Sequence, residues 1–139
     1  MLKLVGASLA VVFCALAPSV AHADPCMAPL PSHAGDTFSG TVRYVGDGDG
    51  LCVGRSNDPS TWIEVRLGDF DAPELHSADG PRSKRFLEQV AMGREVTCRA
   101  MRGRRGRVIV YDRVIAVCRV DGRAIGDLLR EAGAPTGGN

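Results

Sequence analysis

The feature that most constrains the fold is a series of five short segments in which apolar and polar residues alternate. Alternation with a period of two is typical of β-strands that turn one face to a core. Glycine, aspartate and proline separate the segments, as they do in turns between strands. The pattern predicts a small antiparallel β-barrel with strands at Phe38 to Val45, Gly50 to Arg55, Thr61 to Gly68, Glu95 to Ala100 and Arg113 to Val120.

Two later segments have the helical period instead. The first opens at Gly80-Pro81 and closes at Gly93, and the second runs from about Arg123 to Ala132. A proline in the first turn and a glycine after the last turn are typical helix boundaries. Each segment has one apolar stripe, so each helix is expected to cap the barrel or to pack on its flank. The predicted class is α+β with a β core.

The first 23 residues are predicted to be a cleaved secretory signal. They contain Lys3, an apolar run from Leu4 to Ala17 and the small-residue segment Ala21-His22-Ala23. A membrane anchor is the alternative, but Pro18 interrupts the run, which is shorter than the roughly 20 residues that a span needs. We therefore expect an exported protein, periplasmic or extracellular, with no membrane anchor after cleavage.

The remaining 116 residues are enough for one domain with a modest core. We place the domain at 37–134, after an irregular arm at 24–36 and before a disordered tail at 135–139. Without Lys3 the chain has 16 basic and 16 acidic residues, so its net charge is zero. Bulk charge therefore does not indicate a nucleic-acid partner, and any such function must come from a local site.

Four cysteines follow the predicted signal, at positions 26, 52, 98 and 118. An even number in an exported chain favours two disulfides, for which three connectivities are possible. A zinc site is the alternative, but no two of these cysteines are close enough in sequence to form a paired ligand knuckle.

Two acidic turns carry the candidate chemistry. Gly46-Asp47-Gly48-Asp49-Gly50 joins the first two predicted strands, and the segment from Asp69 to Glu74 follows the third. Either could be only a solvated turn, because Asp-Gly is a common hairpin signal. Arg66 has the strand parity opposite to Val65 and Leu67, so it is expected to point outward, where it could bind an anion.

The successive motifs YVGDGDG, VRLGDFDAPE, YDR and VDG resemble those of the staphylococcal nuclease family, over the stretch from Phe38 to Ala134. The resemblance implies a five-stranded barrel of the oligonucleotide/oligosaccharide-binding type, with flanking helices. It also implies calcium-dependent hydrolysis of phosphodiester bonds in DNA and RNA. The family's C-terminal helix, and the tyrosines just before it, have no counterpart in this sequence.

The resemblance assigns the metal site to Asp49 and Asp71, with the backbone carbonyl of Ala72 as a third oxygen ligand. Hard oxygen ligands of this kind suit Ca²⁺ better than Zn²⁺. Gly50 and Ala72 stand where the best-known members have threonine. The lost hydroxyl at Gly50 is expected to weaken support for the metal ligands.

The resemblance makes Glu74 the group that holds or deprotonates the attacking water, and it makes Arg66 and Arg113 the phosphate ligands. A phosphodiester gains negative charge as water adds, so such a site needs a base and positive charge together. Arg113 is chosen because Tyr111-Asp112-Arg113 stands eight residues before Asp121-Gly122. The other arginines are expected in a solvated loop, with tracking of a nucleic-acid backbone as the alternative: Arg102, Arg104, Arg105 and Arg107.

Within this fold we predict disulfides Cys26–Cys52 and Cys98–Cys118, the second pair on the inward parity of neighbouring strands. The expected partner is a nucleic-acid substrate, and the expected state is a monomer. Two alternatives remain open: a non-catalytic binding module on the same barrel, and a secreted structural or inhibitory protein whose acidic turns are only turns.

Overall fold

The computed structural model describes residues 24–137. The predicted signal at 1–23 and the last two residues of the predicted tail lie outside the described residues. Between residues 24 and 137, no helix has the length and apolar character needed to cross a bilayer.

All five predicted strands are present, with ends within two residues of those expected. Two short strands and a turn of 3₁₀-helix at Pro59–Thr61 were not predicted. The elements in chain order are β1 Thr37–Val45, β2 Gly50–Gly54, β3 Ile63–Leu67, α1 Gly80–Ala91, β4 Glu95–Ala100, β5 Ile109–Val110, β6 Arg113–Val120, β7 Arg123–Ala124 and α2 Ile125–Ala132.

The five long strands form a closed barrel, in the order β3-β2-β1-β4-β6, and the pairing of β3 with β6 closes it. That closing pair is parallel, with Val65 beside Val114, whereas the other barrel pairs are antiparallel. The prediction of an antiparallel barrel was therefore wrong at this pair. A ring of five strands cannot alternate in direction all the way round, so one neighbouring pair has to run parallel.

The barrel interior is filled by the inward-facing residues of the five strands, as their alternation predicted. Cys98 and Cys118 are directly opposite each other on β4 and β6, are fully buried, and form the predicted disulfide. Buried aliphatic residues surround this disulfide: Val42, Leu51, Val53, Val65, Leu67, Val96, Val114 and Ala116. The core is therefore covalently fixed between two neighbouring strands.

Both helices pack their apolar stripes on this barrel and on each other. α1 begins at Gly80, as predicted, and Gly93 follows it with a φ of 73°. α2 begins at Ile125, two residues later than predicted, because Arg123 and Ala124 pair with β6 as strand β7. Gly133 ends α2 in the left-handed conformation that glycine adopts most easily.

The arm before the domain has no regular helix or strand between residues 24 and 36, as expected. The predicted disulfide Cys26–Cys52 fastens it to β2. The amide of Met27 donates to the carbonyl of Pro59 at 3.1 Å, and that of Ala28 donates to Trp62 at 3.0 Å. The arm therefore lies against the outer face of β2 and the approach to β3.

Candidate functional site

The turn at 46–50, between β1 and β2, places Asp49 in a buried position. Its backbone amide donates to Oδ1 of Asp47 at 3.1 Å, which shapes the turn. The Asp49 side chain reaches the second acidic segment, where Oδ2 accepts a 2.8 Å hydrogen bond from the amide of Ala72. The Asp49 carbonyl accepts from the amide of Leu67 at 2.8 Å. The two acidic turns, separate in sequence, are thus joined directly by the hydrogen bond from Ala72 to Asp49.

The pKa of Asp49 is raised from 3.8 to about 7, and burial is the largest cause. The carboxylate of Asp47 contributes to the rise, while the hydrogen bond from Ala72 and the guanidinium of Arg66 act in the opposite direction. The free-energy cost of desolvating the Asp49 carboxylate is therefore larger than the stabilisation that Arg66 provides. A second positive charge near Asp49 would relieve that cost.

Arg66 points outward from β3, as its parity predicted, and it bridges the two acidic side chains. Its Nη2 lies 3.2 Å from Oδ2 of Asp49 and 2.8 Å from Oδ1 of Asp71. Its Nη1 donates to the carbonyls of Leu67 at 2.5 Å and Phe70 at 2.9 Å. This guanidinium therefore makes three hydrogen bonds and one further ion pair within the protein itself.

Arg104 also belongs to the site, although it was predicted to lie in a solvated loop, with tracking of a nucleic-acid backbone as the alternative. Its side chain is 75% exposed, yet it forms an ion pair with Oδ2 of Asp71. The hydrogen bond from Arg66, followed by the charge of Arg104, lowers the pKa of Asp71 below its ordinary value. Asp49 and Asp71 are therefore neighbouring carboxylates with opposite pKa shifts, set by burial at one and by two arginines at the other.

Arg113 lies at the start of β6, and its guanidinium reaches towards Gly50 of β2. A Cβ atom at Gly50 would be 3.9 Å from Nη1 of Arg113, and Gly50 is the register partner of Arg66. The parallel register pairs Arg66 with Ile115, so Arg113 lies two residues, or about 7 Å, further along the adjacent strand. Among the described residues, no carboxylate lies within 4.0 Å of its guanidinium nitrogens.

Glu74 lies in the irregular segment between β3 and α1, three residues after Asp71, and is exposed. Its carbonyl accepts from the amide and the hydroxyl of Ser77, at 2.9 and 2.6 Å, which fixes the backbone as a turn. Between residues 24 and 137 its carboxylate has no hydrogen-bonding or ionic partner. A carboxylate so placed is open to solvent and to water as a reactant.

The donor set fits a hard cation at Asp49 and Asp71, whose carboxylates meet at one nitrogen of Arg66. Within the described chain there is no cluster of three or more His, Cys, Asp or Glu side chains suited to a metal, so further oxygen ligands would be backbone or water. The Ala72 carbonyl lies close to Gly137, where an added Cβ would stand 2.5 Å from it, and the Gly137 amide donates to the Asp71 carbonyl at 2.8 Å.

The fold defines an α+β protein whose core is a closed five-stranded barrel consistent with the oligonucleotide/oligosaccharide-binding type. Comparison with protein families and with curated proteins finds no match to this chain.

Proposed function

We propose that this chain is an exported, calcium-dependent nuclease that hydrolyses phosphodiester bonds of DNA or RNA as a monomer. The observation that carries the proposal is the convergence, on one outer edge of the barrel, of a buried carboxylate, a second carboxylate and arginines from two adjacent strands: Asp49, Asp71, Arg66 and Arg113. The motif resemblance to the staphylococcal nuclease family supports the same assignment. Two disulfides support export, since such bonds persist in oxidising compartments.

Asp49 and Asp71 would hold the calcium ion, and the Ala72 carbonyl is added on the resemblance. When bound, the ion supplies positive charge to a phosphodiester that becomes more negative as water adds to it. The raised pKa of Asp49 favours this role, because a buried carboxylate with insufficient compensation gains most from a divalent partner.

Arg113 would bind the scissile phosphate, since among the described residues its guanidinium has no carboxylate partner. A planar guanidinium can donate two hydrogen bonds to one phosphate and keep its charge. Arg66 is differently placed, because Nη2 is held by Asp49 and Asp71. Asp71 also pairs with Arg104, but among the described residues Asp49 has no other cationic partner, so Nη2 can turn to a phosphate only when Asp49 gains one. We therefore expect calcium and substrate to bind cooperatively.

Glu74 would orient the attacking water and accept its proton. The side chain is exposed, lies three residues beyond Asp71, and has no partner among residues 24–137 that would have to be displaced. A well-placed general base contributes about 10²–10⁴ in rate. Proton abstraction would use the Glu74 carboxylate, whereas the hydrogen bonds that shape the turn use only its backbone carbonyl.

The role of Glu74 is tested by comparing Glu74→Gln with Glu88→Gln, a matched change on α1. Cleavage of a labelled single-stranded oligonucleotide in calcium should slow by about 10²-fold or more in the first variant and stay unchanged in the second. Equal rates in both variants would remove Glu74 from the mechanism. Binding of the oligonucleotide without any cleavage by the wild-type protein would favour a non-catalytic binding module instead.

A further inference from the structure

Ser83 is a buried polar residue with no bonding partner for its side chain. It lies in the first turn of α1, where its amide donates to the carbonyl of Asp79 at 2.9 Å, and its relative exposure is zero. Within residues 24–137 its hydroxyl oxygen is enclosed and makes no hydrogen bond. A buried hydroxyl without a partner is costly, and alanine would fill nearly the same space without that cost.

The Ser83 side chain packs against Gly48 of the first acidic turn, next to Ala72 of the second. A Cβ atom at Gly48 would stand 2.5 Å from Cβ of Ala72 and 2.8 Å from Cβ of Ser83, and it would be closer still to Oγ of Ser83. Gly48 precedes Asp49, and the amide of Ala72 donates to the Asp49 carboxylate. Ser83 is therefore packed at the junction through which the turn at 46–50 and the second acidic segment hold their carboxylates together.

A contact changes the affinity of a site for an ion only if it differs between the empty and the loaded site. Between residues 24 and 137 the Ser83 hydroxyl makes no hydrogen bond, so this arrangement of the turn leaves an unpaired polar group buried. Any hydrogen bond that it gains when the turn adjusts would favour the adjusted state twice: a bond is made, and an unpaired group is removed. A Cβ atom at Gly48 would overlap Oγ of Ser83, so the backbone of the turn at 46–50, with its donors and acceptors, passes beside this hydroxyl.

We propose that Ser83 is a positioning residue of the cation site, whose hydroxyl gains a partner in the turn at 46–50 when Asp49 and Asp71 hold the ion. The inference rests on the proposed calcium site and adds to it a residue outside both acidic turns. It assigns to α1 a part in setting calcium affinity, beyond covering the barrel.

The test compares Ser83→Ala with Ala91→Gly, a second buried small residue on the same helix. Each protein is freed of metal, its thermal unfolding is recorded, and calcium affinity is measured by titration calorimetry. We expect Ser83→Ala to unfold at the same or a higher temperature without metal, yet to bind calcium about tenfold more weakly, the size of one hydrogen bond. Ala91→Gly should unfold at a lower temperature and keep the wild-type affinity.

Three results would overturn the inference or its basis, and they can be told apart. Wild-type affinity in Ser83→Ala shows that the hydroxyl does not act on the ion, and it leaves the proposed calcium site intact. A metal-free Ser83→Ala protein that unfolds at a clearly lower temperature shows that the hydroxyl serves the empty state instead. A wild-type protein that binds no calcium refutes the proposed site itself.

Discussion

Replacing Asp49 with asparagine is expected to stabilise the metal-free protein. Burial, reinforced by Asp47, raises the pKa of Asp49 from 3.8 to about 7 against the opposing effects of the Ala72 amide and Arg66. The folded protein thus binds this proton more tightly than the unfolded chain does. The corresponding stabilisation is complete below pH about 3.8 and is lost as the pH rises through about 7. At pH 8 the folded protein bears the full cost of the buried charge.

The size of the effect follows from that shift. Each pKa unit corresponds to about 1.4 kcal/mol, so a rise of roughly three units corresponds to about 4 kcal/mol. An asparagine at 49 keeps an oxygen for the Ala72 amide but loses the charge that attracts Arg66. We therefore expect a net gain in the free energy of unfolding on the order of 1–3 kcal/mol at pH 8.

The assay is urea unfolding at pH 8 in chelator and again in calcium. The control is Asp121→Asn, whose exposed side chain loses only a surface ion pair with Arg94, worth about 0–1 kcal/mol. Calcium should stabilise the wild-type protein and the control but not Asp49→Asn. The reasoning is refuted if Asp49→Asn is less stable than wild type in chelator at pH 8, or if calcium stabilises it equally.

Three further predictions concern stability. Burial and the neighbouring Asp24 raise the pKa of Glu64 from 4.5 to about 8, so the stability that this proton contributes is complete below pH about 4.5 and is lost as the pH rises through about 8. Glu64→Gln should flatten that fall in urea unfolding over the same pH range, and an unchanged slope would contradict the prediction. Gly48→Ala should lower the free energy of unfolding, measured by thermal unfolding, by about 1–3 kcal/mol or more, because the added Cβ would stand 2.5 Å from Cβ of Ala72. An unchanged free energy of unfolding would contradict this packing. Replacing Cys26 and Cys52 together by alanine should lower the free energy of unfolding by about 3.5 kcal/mol, because the bond removes the entropy of a loop with sequence separation 26 from the unfolded chain. A loss below about 1 kcal/mol in urea unfolding would show that the arm is held without the bond.

A strand such as β4 could be predicted because only one of its faces is buried, which makes apolar and polar residues alternate, whereas β2 is buried at every position. Arg66 was placed outward for the same reason, and Cys98 and Cys118 were placed inward. The parallel pairing of β3 with β6 could not be predicted from alternation, since period two is the same in both directions. It follows instead from closing a ring with an odd number of strands.

The carboxylates and arginines of the site were predicted from short motifs, but two neighbours were not. Arg104 is 33 residues from Asp71, in an irregular loop whose path no periodicity defines. Ser83 lies in the helical segment that follows Gly80-Pro81, and a serine in a helix carries no sequence signal of burial. Such contacts depend on how α1 and the loops fold back over the barrel, which is a property of tertiary packing.

The central claim is calcium-dependent hydrolysis of phosphodiester bonds, and its most direct test is the rate at which the purified protein cleaves labelled single-stranded DNA. The protein is freed of metal and assayed in chelator, in calcium, and in chelator after calcium. We predict cleavage in calcium, none in chelator, and loss of cleavage on chelation while the protein remains folded. Cleavage that continues at the same rate in chelator, or a folded, disulfide-bonded protein that cleaves no DNA or RNA in calcium, would contradict the account.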